Sequence, residues 1–154
     1  MTSRALTPGE IALARSVFGE SIAYDRVGVH NRKWWPFQPR RVTMAPDGDL
    51  WFHPASNLFC VDFCGGPLHL QGLFIHEMTH VWQAQRGGKW YLPLMRHPFC
   101  RYGYDIAPGK PFRHYGLEQQ AEIVRHAFLM RRGAAVEGKP GLAVYERLLP
   151  FGEV

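Results

Sequence analysis

The sequence predicts an α+β fold in a single domain over residues 1–154: a small, mostly antiparallel sheet in the first half, packed on a long buried helix, and a second long helix after it. A chain of 154 residues, 46% hydrophobic and 14% aromatic, supports one real core and leaves little room for another. Before residue 66, short apolar runs alternate with Pro and Gly breaks, the pattern of short strands and turns. After residue 68, apolar residues recur at helical spacing over two long stretches.

The first element is a helix over about 8–19. Thr7-Pro8-Gly9-Glu10 is a capping box with Pro at the first helical position, and Ile11, Ala14, Val17 and Phe18 follow as its apolar face. Pro46-Asp47-Gly48-Asp49 then separates Arg41–Ala45 from Leu50–His53 as a hairpin turn would. A strand is expected at Leu58–Phe63, ended by Gly65-Gly66-Pro67. From Leu70 to Arg86 the pattern is helical, with Phe74, Ile75, Met78, Val81 and Trp82 spread round most sides, so this helix should cross the interior. Gly87-Gly88 stops it, and a Gly/Pro/aromatic connection runs to Gly116, long enough to suggest a functional role. A helix over about 117–132 carries Leu117, Ala121, Val124 and Phe128 on one stripe, and a short helix spans about 141–149.

Composition excludes several classes. Ten Phe, six Tyr and five Trp rule out a disordered chain. No apolar run approaches the ~20 residues of a membrane span. The N-terminus is amphipathic and broken by charge, without the pattern of a signal peptide, which predicts synthesis as a cytoplasmic protein. The net charge of +5 is scattered in ones and twos, so nucleic-acid binding is a minor alternative. Cys60, Cys64 and Cys100 are too few for a disulfide framework and are expected as buried free thiols.

The chemistry concentrates in His76-Glu77-Met78-Thr79-His80, which matches H-E-x-x-H inside a segment already read as helical. Residues four apart lie one above the other on a helix, so both imidazoles can reach one ion, while Glu77 sits about 100° round, placed to take a proton from a metal-activated water. With eight His in the chain, chance supplies roughly 0.02 such matches. A catalytic zinc site needs a third protein ligand. The extended pattern with a third His fails, because Arg86 and Gln83 stand where that His and its Gly belong. Glu118 and Glu122 on the downstream helix remain, one as ligand and the other as support for a ligand imidazole.

The runs LFIHEMTHVWQAQRG, RYGYDIAPGKPF and YGLEQQAEI, in that order, resemble the zincin-like metallopeptidase domains associated with type VI secretion spike proteins of the valine-glycine-repeat and Rhs kind. The similarity covers roughly residues 50–128. It implies a zincin-like fold and a gluzincin-type Zn2+ site with His76, His80 and Glu118 as ligands and Glu77 as general base. Two departures concern the support of that site: Gly116 stands where such domains often have Asn, and His126 where an acidic residue is common.

The function expected from this site is zinc-dependent hydrolysis of peptide bonds. Its substrate would be a peptide or protein, cell-envelope material among the options, and the resemblance adds export by a type VI secretion system and a spike or immunity protein as partner. A non-catalytic zinc-binding docking module is the alternative of another class. Candidates to face the oxyanion of the tetrahedral intermediate are Tyr102, Tyr104, His114 and Tyr115. His69 and His97 are expected as bystanders. Trp34, Trp35, Trp51, Trp82 and Trp90 are expected in the core, with Trp82 two residues beyond His80 on the buried helix.

Overall fold

The computed structural model describes residues 3–88 and 101–151. Strand β1 (Ser3–Ala5) leads into helix α1 (Pro8–Phe18). Strands β2 (Gly28–His30) and β3 (Leu50–Trp51) follow, then α2 (Leu68–Gly87), α3 (Leu117–Arg131) and α4 (Leu142–Leu148). Single turns of 3-10 helix occur at Tyr24–Arg26, Phe63–Gly65 and Phe112–His114. The architecture is therefore α+β, with a small three-stranded sheet and four helices among the described residues.

The capping box of α1 forms as its sequence dictates: Thr7 Oγ1 accepts from Glu10 N, and the Glu10 carboxylate accepts from Thr7 N. Glu10 does more than cap. It is fully buried, accepts two bonds from the Arg4 guanidinium at 2.8 and 2.9 Å, and accepts a third partner, Phe63 N, at 3.0 Å. Arg4 also donates to Cys60 O. One carboxylate thus ties β1, α1 and the 60–63 segment together. Removing it strands a largely buried guanidinium and a buried N–H, so Glu10→Ala should lower unfolding free energy by about 3–5 kcal/mol in urea titrations. Loss of the exposed Arg131–Glu146 pair should cost about 1 kcal/mol or less.

The same bonds explain a correction. The expected strand at Leu58–Phe63 does not form, because Cys60 O and Phe63 N are taken by Arg4 and Glu10, and Asp62 turns the chain by accepting from Cys64 N. The thiols there are not buried: Cys60 is half-buried and Cys64 exposed. Burial, with the Glu10 charge next, pushes the Cys60 thiol pKa up. Cys100 lies outside the described residues.

The sheet is smaller than its sequence suggests, and mixed. β2 pairs antiparallel with β1 and parallel with β3. The expected hairpin contracts to one antiparallel bridge, Met44 to Trp51. Asp47 accepts from Asp49 N and Trp51 Nε1, and the Gln38 amide donates to Val42 O and Trp51 O, so side chains take bonds a ladder would have used. Gly48, at φ +95°, makes the turn.

α2 is the central element. Phe74, Ile75, Met78 and Val81 have no exposed surface, and Phe74 continues a stack of rings through Phe63 to Phe52 with centroids 5.3–5.4 Å apart. α2 lies along α3, and Gly72 permits the approach, since a Cβ there would sit 3.2 Å from Leu129 Cδ2. Trp82 is core as expected, edge-on to Phe112 and Phe151. Trp34 and Trp51 are only half-buried, and Trp35 is 42% exposed beside Phe37 at 76%; these depart from the core expectation. Trp90 and His97 lie outside the described residues. No helix among the described residues is long and apolar enough to cross a membrane.

Candidate metal centre

The buried face of α2 delivers His76 and His80, one turn apart, to the first turn of α3, where Glu118 is 1% exposed. His80 Nε2 lies 3.2 Å from each Glu118 oxygen, and His76 Nε2 lies 3.3 Å from Oε2. The three side chains offer ligand atoms within 4.8 Å of one another. Donors bonded tetrahedrally at the ~2.0–2.1 Å of metal–nitrogen and metal–oxygen bonds would be separated by about 3.3 Å, so the arrangement fits a metal ion. Among the described residues this is the group with that property, and neither Cys60 nor Cys64 belongs to it.

A line of amides stands behind His80. Its Nδ1 lies 2.8 Å from Gln83 Oε1, so Nδ1–H donates and the Nε2 lone pair is left for a ligand bond. Gln83 Nε2 donates to Leu117 O and to Gln120 Oε1, and Gln120 Nε2 donates to Tyr115 O. These bonds also fix the orientation of both amides. Burial by itself would lower the His80 pKa. The hydrogen bond and charge of Glu118, with the Glu77 charge and Gln83, outweigh it, so the pKa is raised, and a metal entering here displaces a proton.

The residue before Glu77 in the pair of histidines opens onto a cleft of about 220 Å³. Its lining includes Leu73, His76 and Glu77 of α2, Tyr102, the Arg41–Thr43 segment, and Glu122 and Arg125 of α3. Glu77 is 5% exposed. Glu122 does not join the ligand group: its carboxylate accepts from Arg125 Nε at 2.7 Å and lies 3.7 Å from His126 Nε2.

The four oxyanion candidates separate sharply. Tyr102 reaches the cleft, 48% exposed, its ring stacked at 6.2 Å from His76. Tyr104 does not, because its hydroxyl is buried against His126 Nδ1 and the Tyr145 hydroxyl, and burial, with the Tyr145 hydrogen bond next, drives its pKa upward. Burial lowers the His126 pKa, and its Nε2 faces the Glu122 carboxylate at 3.7 Å. Tyr115 is buried, its hydroxyl accepting from Ala107 N, and His114 is exposed on the 3-10 turn. His69 is exposed near the start of α2. The sequence reading passed over Gln83, dismissed as a failed Gly position, although it stands three residues beyond His80, one helical neighbour away. Gln120 and the 41–43 wall carry no local signal.

No family model matches the chain. It is 41% identical over 132 residues to the type VI secretion system spike protein VgrG2b of Pseudomonas aeruginosa, a match covering 82% of this chain and 13% of that protein. The chain thus spans a small part of that relative's length. A solved structure, the effector domain of Pseudomonas aeruginosa VgrG2b, superposes with a TM-score of 0.76 at 37% identity, over 94% of this chain and 80% of that one.

Proposed function

The chain belongs to the family of the VgrG2b effector domain, and from that premise we propose that it is a zinc peptidase of the gluzincin type, one zincin-like domain acting as a type VI secretion effector. Made in the cytoplasm and exported by the secretion machine, it would have a spike protein and an immunity protein as partners, and peptide or protein, including cell-envelope material, as substrate. The observation that carries this reading is the convergence of His76 Nε2, His80 Nε2 and the Glu118 carboxylate beside a cleft that Glu77 lines.

His76, His80 and Glu118 would hold Zn2+, a donor set that suits zinc. When bound, zinc would supply Lewis acidity to polarise the scissile carbonyl. Glu77 takes a proton from the attacking water and returns it to the leaving amine. Gln83 keeps His80 in the tautomer that presents Nε2. Tyr102, alone among the four aromatic candidates at the cleft, would donate to the developing oxyanion.

The test is the appearance of new amino termini when purified protein meets a cell-envelope extract or a casein digest. Cleavage should vanish on chelation and return with zinc. A fully zinc-loaded protein that cleaves neither pool would instead be a metal-stabilised docking module. A separate expectation concerns support of the site: Gln83→Leu should weaken zinc binding about 10–100-fold in competition with a chelating dye, with unchanged helical content by circular dichroism.

A further inference from the structure

A hollow of about 700 Å³ opens where the 106–113 segment, the C-terminal end of α2 and α4 meet, sharing no described residue with the cleft at His76 and Glu77. Arg86, Lys110, Arg113 and Arg147 line it, all exposed, and no Asp or Glu among the described residues does. None of the four takes part in an ion pair among the described residues. Four arginines elsewhere do meet carboxylates, Arg4 with Glu10, Arg15 with Glu20, Arg125 with Glu122 and Arg131 with Glu146; what sets the hollow apart is four cations round one concavity with no acidic residue among its described lining. Two of the four cations are propped on rings, Arg86 at 4.9 Å from the Trp82 centroid and Lys110 at 4.4 Å from that of Tyr115. An adjoining hollow of about 300 Å³ shares Trp82, Arg86 and Arg113 and reaches Gln83 and Gln120.

Like charges round one hollow raise a positive potential that gathers anions and speeds their encounter. We propose that this groove is the docking site for an acidic segment of a partner polypeptide, its Asp and Glu side chains meeting the four cations and an apolar side chain resting on the floor made by Ile106 and Leu148. The shape decides against other anions. A bilayer surface cannot enter a concave groove. Base stacking needs open ring faces, whereas Trp82 and Phe112 are 8% and 5% exposed and Arg86 lies over Trp82. Guanidinium groups suit carboxylates, which they bind in bidentate fashion.

The experiment uses the whole zinc-loaded chain and four probes: a fluorescent 12-residue peptide of alternating Glu and Leu, its Gln-for-Glu counterpart, a 12-nucleotide single-stranded DNA, and phosphatidylglycerol vesicles. Anisotropy should report binding of the acidic peptide that weakens as salt rises, with the Gln peptide at least 10-fold weaker. The double variant R113E/R147E should bind the acidic peptide at least 10-fold more weakly with unchanged zinc content, while K33E/R40E, which reverses two charges outside the groove, should bind within 2-fold of the parent. Failure of the acidic peptide to bind, equal binding of both peptides, equal weakening by both double variants, or preference for DNA or vesicles would each overturn the proposal.

Discussion

Glu77→Gln should lower the rate of peptide cleavage about 10²–10⁴-fold while zinc content stays at the parent level. Gln keeps the shape of Glu and removes only its ability to take a proton, and Glu77 lies outside the group of three converging ligand atoms. Folding should be unaffected because α2 keeps its packing. Progress curves and elemental analysis of the same preparation check both halves. Full activity without the Glu77 carboxylate would sink the peptidase mechanism.

Glu118→Ala should cost more zinc affinity than the ~100-fold that bounds loss of a supporting residue, whereas Glu122→Ala should retain zinc. The difference follows from position on α3. Glu118 stands in its first turn, buried against both imidazoles; Glu122, one turn on, is engaged by Arg125. Glu122→Ala would leave Arg125 facing the cleft without that partner, so its effect should appear in KM for charged peptides and little in metal content. Zinc content after dialysis, read for both variants, decides between them, and metal retained in Glu118→Ala would remove it from the ligand set.

The helices were legible in the sequence to within two residues at their ends. α1 was announced by its capping box, α3 by a single apolar stripe, and α2 by apolar residues on nearly every side, because each pattern follows from 3.6-residue periodicity within one segment. The sheet was not legible. β1 and β2 are three residues each, too short to show alternation, and the apolar run 58–63 looked like a strand although Arg4 and Glu10 claim its backbone.

The site divides along the same line. The short, unlikely spacing of His76, Glu77 and His80 on one helix was determined by sequence alone, since one helical turn sets which side chains share a face. The bare residues allowed either Glu118 or Glu122 to meet those histidines, and a resemblance favoured Glu118. The packing of α2 on α3, closed at Gly72, is what brings the Glu118 carboxylate to within 3.3 Å of both rings. Tertiary structure also separated Tyr102 at the cleft from Tyr104 in the core, two residues away, and turned Gln83 from a failed motif position into the partner of His80. Local spacing carries what one helix face can hold; which groups from distant segments meet there is decided by packing, where burial and hydrogen bonding are settled between segments far apart in the chain.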